Sequence, residues 1–218
     1  MEGIFAVNKP VGISSHDVIY QLRRKTGIKR IGHAGTLDPL ASGVLVVAIG
    51  REFTKQLDTI VKSEKEYIAE VFLGETSTTD DMEGVLRQAQ DKNKTLANKT
   101  HKPSLSEIQD SIKQFVGKIM QTPPIYSAIK QKGKVAYKEA RKGNALILEP
   151  REVEIRDIEI INYEFPIIKL RITCGKGVYI RSLARDIGEK LKTGGYMKSL
   201  VRTRVGEFRI EYAVKLED

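Results

Sequence analysis

The chain has 218 residues, 40% of them hydrophobic and 30% charged, which suits a packed core and excludes global disorder. One cysteine excludes an internal disulfide, and the longest apolar run, near Gly43–Gly50, is too short to span a bilayer. The net charge of +9 is uneven: residues 130–204 hold 18 Lys and Arg against 9 Asp and Glu, whereas residues 1–129 hold 17 against 15. Local basic excess is the footprint of a polyanion partner, and equally of a basic solvated surface. The opening MEGIFAVNKP has no apolar secretory core, and with the lone Cys174 this predicts a cytoplasmic protein that crosses no membrane. Three histidines at unrelated spacings make no metal pattern, and no phosphate loop or dinucleotide fingerprint is present, so neither metal nor cofactor is expected.

In chain order, Ile4–Asn8 reads as a short strand, stopped by Lys9-Pro10 and Gly12. Ser14 or Ser15 caps a helix to about Thr26, with Val18, Ile19 and Leu22 on its apolar face and Gly27 as its stop. Ile31–Ser42 is a loop with glycine and proline, and Val44–Ile49 is a continuous apolar run that predicts a buried strand. Phe53–Val61 reads as a short helix, and Tyr67–Leu73 as a strand ending at Gly74. A polar, aperiodic insertion follows over about 75–103. Ser104 and Glu107 form a capping-box pattern ahead of Leu105, Ile108, Ile112 and Phe115 at helical spacing, with Gly117 as the stop. Tyr126–Lys130 and Lys134–Tyr137 flank Lys132-Gly133 as a hairpin, and a short helix runs on to Lys142. Val153–Ile161 and Ile167–Cys174 are strands, Tyr179–Leu191 is a helix, and Met197–Val205 and Glu207–Glu211 are closing strands. There is no repeat and no regular βαβ rhythm. The expected class is α+β: one domain over 1–218, with a mixed, mostly antiparallel sheet flanked by helices and loops.

The chemically informative segment runs from Gly32 to Gly43, GHAGTLDPLASG. It puts the Asp38 carboxylate and the His33 imidazole on a glycine-rich loop just before a buried strand, where functional groups concentrate. Pro39 biases Asp38 away from helical backbone angles. Asp-Pro also starts turns, and local chemistry alone favours a turn residue; His33 alone reads as a hydrogen-bonding loop residue.

GHAGTLDPLASGVL resembles the catalytic loop of TruB-type pseudouridine synthases, whose relatives include the Cbf5/dyskerin enzymes. Further family motifs follow in order. NKPVGISS at Asn8–Ser15 resembles the N-terminal motif, with Asn8 where Asp is common. Lys65-Glu66-Tyr67 resembles the strand with the active-site tyrosine, and PPIYSAIK at Pro123–Lys130 a further motif. Cys174–Leu183 resembles CxxGxYIRxL, and Leu200-x-Arg202-Thr203 the late LxRT segment. The resemblance covers about residues 3–214.

The resemblance implies a pseudouridine synthase fold and the isomerisation of a uridine at position 55 of the tRNA T-loop by base flipping, without metal or cofactor. Asp38 matches the essential carboxylate, Arg181 the arginine that pairs with it, and Tyr67 the tyrosine that stacks on the target base. Tyr179 and Leu200 match pocket-lining positions, and His33 the histidine that fills the gap left by the flipped nucleotide. Lys9 and Lys130 match basic positions with supporting or phosphate-binding roles. Family enzymes commonly carry a C-terminal RNA-binding domain of PUA type; none is expected within 218 residues. The expected partner is the T-arm of tRNA, bound by a monomer. Alternatives are an RNA-guided, Cbf5-like catalytic subunit and a non-catalytic RNA-binding or folding factor.

Overall fold

The computed structural model describes residues 2–85, 101–131, 133–144 and 146–216. Most of the expected polar insertion, and Lys132 of the expected hairpin, lie outside the described residues. The strands are β1 (Gly3–Lys9), β2 (Ile31–His33), β3 (Ala41–Ile49), β4 (Lys65–Leu73), β5 (Gly117–Gln121), β6 (Lys130–Gln131), β7 (Lys134–Val135), β8 (Arg151–Glu164), β9 (Ile167–Cys174), β10 (Gly195–Val205), β11 (Phe208–Arg209) and β12 (Val214–Lys215). The helices are α1 (Ser15–Thr26), α2 (Arg51–Thr54), α3 (Leu57–Val61), α4 (Leu105–Lys113), α5 (Ala136–Arg141) and α6 (Ile180–Lys190). Contacts divide the chain into two compact units. The first comprises Met1–Ile68, Arg171–Lys176 and Ser199–Asp218, and the second Ala69–Leu170 and Gly177–Lys198.

In the first unit the strand order is β12-β1-β3-β10-β4-β9, with β2 on β3 and β11 on β10. β3 runs antiparallel to β1, Lys9 opposite Gly43, and parallel to β10, Arg202 opposite Gly43. Val44–Ala48 are fully buried, which is why this strand reads as unbroken apolar sequence. Gly43 has φ +101°, and a Cβ there would lie 2.2 Å from the Arg202 carbonyl oxygen, so only glycine lets β10 lie against β3. Ala6, Ala34, Val44, Val46 and Val205 form a core on which Leu57, Ile60 and Phe208 pack. α1 starts at a Ser14–Asp17 capping box and ends at left-handed Gly27. The expected helix Phe53–Val61 is two short helices, and β2 appears where a loop was expected.

In the second unit the order is β10-β4-β9-β8-β5, and β5 lies antiparallel to β8 with Gly117 opposite Ile155. β5 is a further unexpected strand. α4 begins at the expected Ser104–Glu107 capping box and packs on β8. The expected hairpin is β6 paired with β7. Thr79 and Asp81, read from sequence as part of a polar insertion, are buried, and Met197 N donates to Asp80 O at 3.0 Å. Ionic partners hold this segment, so no apolar periodicity marks it. No helix among the described residues is long and apolar enough to cross a membrane.

Candidate active site

The loop bearing Asp38 is a turn held on both flanks. Ala41 N donates to the Asp38 carbonyl at 3.0 Å, which closes a four-residue turn with Pro39 second. The turn reading of Asp38 is thus met, and the same residue presents its half-buried carboxylate. On one flank, Ser15 Oγ donates to Leu37 O at 3.0 Å and accepts from Leu37 N at 2.8 Å. On the other, Gly12 N donates to Pro39 O at 2.8 Å.

Lys9 ends β1 beneath this turn and is fully buried. Its Nζ donates to Pro10 O at 2.8 Å and Ile13 O at 2.7 Å, so it holds together the 10–13 turn from which Gly12 reaches the Asp38 loop. Burial pushes the Lys9 ammonium down to about 8; the Asp38 charge opposes this, and the Arg202 charge adds to it.

Tyr67 on β4 is 7% exposed. Burial raises its phenol above the ordinary tyrosine value, with the Arg202 charge working the other way and the Asp38 charge adding to the rise. Arg202 was placed by sequence only within the LxRT segment. It is 1% exposed, and donates from Nε to Val44 O at 2.7 Å and from Nη2 to Gly35 O at 3.0 Å. Leu200, buried on β10, stands opposite Ala41, three residues past Asp38. His33 lies half-buried on β2, and its Nδ1 has no hydrogen-bond partner among the described residues. Burial first, then the charges of Arg202 and His16, lower its pKa below the usual histidine value, which favours a neutral ring. Cys174 on β9 is 1% exposed, and burial pushes its thiol up to about 12. These groups all belong to the first unit.

Arg181, Tyr179 and Lys130 belong to the second unit. Arg181, in the first turn of α6, is 5% exposed. It donates to Thr79 O at 3.2 Å and Tyr126 O at 2.9 Å, and lies 3.5 Å from the Asp81 carboxylate. These acceptors offset the unfavourable placement of a cation near a helix N-terminus. Burial raises the Asp81 carboxyl, opposed by the hydrogen bond from Thr79 and by the Arg181 charge. Arg185, one turn on, bonds Asp80 at 2.8 Å and Thr122 O at 3.0 Å. The buried Gln121 amide brackets Tyr179, accepting from its N at 2.9 Å and donating to its O at 3.1 Å. The PPIYSAIK and GVYIRSL motifs, 55 residues apart at Tyr126 and Arg181, are therefore tied together directly. Lys130 is exposed on β6. Sequence reasoning missed Asp81, Gln121 and Arg202. Asp81 offered only the adjacent acid pair Asp80-Asp81, and Arg202 only its motif.

A family model described as TruB family pseudouridylate synthase (N terminal domain) matches residues 23–180, and one described as tRNA pseudouridylate synthase B C-terminal domain matches 181–218. The chain is 42% identical over 211 residues to tRNA pseudouridine synthase B of Protochlamydia amoebophila, covering 97% of this chain and 77% of that protein. It is 44% identical over 216 residues to tRNA pseudouridine synthase B of Clostridium novyi, covering 99% of this chain and 71% of that protein. Among solved structures, a Cbf5-Nop10-Gar1 complex aligns with a TM-score of 0.74 at 28% identity, covering 98% of this chain. The chain spans only 52% of the length of its counterpart there. A pseudouridylate synthase crystal structure aligns with a TM-score of 0.50 at 16% identity and bears on the fold alone. On the extent of the family match and on relatives at this identity, the chain belongs to the TruB family of pseudouridylate synthases.

Proposed function

We propose that the chain converts uridine to pseudouridine at position 55 of the tRNA T-loop, with Asp38 as the essential carboxylate. The reaction breaks the C1′–N1 bond, turns the uracil and joins C1′ to C5; the C5 proton passes to solvent and N1 takes a proton up. One proton leaves, one enters and nothing is oxidised or reduced, so the chemistry calls for no cofactor. The observation that carries the reading is the presentation of Asp38: a turn fixed at Leu37 and Pro39, with the Lys9 ammonium in its field. A carboxylate so held is suited to act at C1′ or on the sugar's C2′ proton.

Tyr67 supplies an aromatic face for the base. Its raised phenol stays protonated at neutral pH, so it meets the base as a neutral hydroxyl. A neutral His33 is fit to fill the stack vacated by the flipped nucleotide. Arg181, Tyr179, Leu200 and Lys130 join the set on their motifs. Exposed Lys and Arg of residues 130–204, with the Arg23, Arg24, Lys25, Lys29 and Arg30 cluster, contact phosphate, and the pocket supplies selectivity. The enzyme acts in the cytoplasm as a monomer.

Tritium release from tRNA labelled at uracil C5 tests the reading. Purified protein alone should release tritium, and Asp38→Asn should not. No release by the wild type over a range of salt would overturn it.

A further inference from the structure

We propose that Arg202 is a positioning residue for the reaction, clamping the two ends of the Asp38 loop with one guanidinium. The inference rests on the reading of the chain as a uridine isomerase, which it deepens.

The geometry is specific. Arg202 Nε donates to Val44 O at 2.7 Å, and Nη2 donates to Gly35 O at 3.0 Å. Gly35 and Val44 bracket residues 36–43, and Asp38 lies between them. The backbone of Arg202 is itself pressed against Gly43, leaving no space for a side chain there. The clamp therefore holds the loop's C-terminal end by both main chain and side chain. The charge of the same guanidinium reaches the phenol of Tyr67, which arrives on a different strand.

An arginine is the side chain suited to this task. Its planar fork carries donors in fixed directions, whereas a lysine offers a point charge on a flexible stem. A structural role alone would be costly here, because apolar residues of the same volume often replace a buried cation without loss. Arg202 sits with the cations Lys9 and Lys65 in its electrostatic surroundings, and its charge lowers both. Keeping a third positive group at such a place is unfavourable unless the hydrogen bonds it makes are needed. Its two partners are the two ends of the Asp38 loop.

The test compares Arg202→Lys with the wild type by tritium release under saturating and limiting tRNA. The expected result is a fall in kcat of about tenfold or more, with KM within about twofold. A rise in KM alone, or unchanged kcat, would overturn the proposal. Should Arg202→Lys not fold, the side-chain NH resonances of Arg202 serve instead. They should be protected from solvent exchange in the wild type; rapid exchange would overturn it. If the wild type releases no tritium, the isomerase reading fails first, and the NMR result still decides whether the clamp exists.

Discussion

Ser15 and Leu37 exchange two hydrogen bonds through one hydroxyl, which donates to the Leu37 carbonyl and accepts from its N–H. The first residue of α1 is thereby fastened to the residue immediately before Asp38. The helix start does two jobs: Ser14 caps α1, and Ser15 fixes the loop.

Ser15→Ala would leave both Leu37 backbone groups unpaired in a buried place. The expected loss is about 1–3 kcal/mol of stability, read by urea unfolding, together with a lower kcat from a looser Asp38. A variant as stable and as active as the wild type would show that the bond does not set the loop.

Lys9 should titrate near 8, and its ammonium is supported by the Asp38 charge. Asp38→Asn should therefore lower that value further, as followed by NMR of the Lys9 side chain. The linkage has a definite sign. Between about 8 and 10.5 the folded chain has released a proton that the unfolded chain still holds, so stability from this group rises with pH across that window. The cost of burying the ammonium is present in full below about 8. Lys9→Met should remove this rise from the stability profile between pH 8 and 10.5.

Asp81→Ala would strand the Arg181 guanidinium in a buried site. Loss of one partner of a buried pair costs about 3–5 kcal/mol, which a thermal melt would register as a large drop in Tm. Asp81→Asn keeps a hydrogen-bond acceptor and should cost less. Equal stability of Asp81→Ala and wild type would mean that the 3.5 Å pair carries no weight.

Gly43→Ala should be among the most damaging small changes in the loop. It forces an L side chain to φ +101° and drives a methyl into the Arg202 carbonyl. Loss of soluble protein or a strongly lowered Tm is expected, while Gly12→Ala, with open space around it, should suffer from backbone strain alone.

Much of this was legible in sequence where the signal is local. The N-terminal caps of α1 and α4 and the Gly27 stop are legible because Ser, Glu and Gly act within one helical turn, whereas the expected stop of α4 at Gly117 is wrong: the helix ends at Gln114 and Gly117 opens β5. β3 was read from its unbroken apolar run. β2 and β5 were missed, since IGH and GKIMQ become strands only by pairing with β3 and β8. Asp38 reads as a turn former, and it is one; its proposed role as the essential carboxylate rests on the motif around it. Arg202 and Asp81 stayed hidden for a physical reason. Charged side chains become interior only through partners distant in sequence, and no periodicity in the chain marks them.

Cys174 has a practical consequence. The chain has a single cysteine, and its thiol is sealed in and pushed up to about 12. Almost none of it is thiolate at neutral pH, so a maleimide reacts only in moments when β9 is uncovered. The labelling rate therefore counts those openings, without any engineered probe. Slower labelling in the presence of tRNA would report how much the substrate stiffens the strand behind Tyr67.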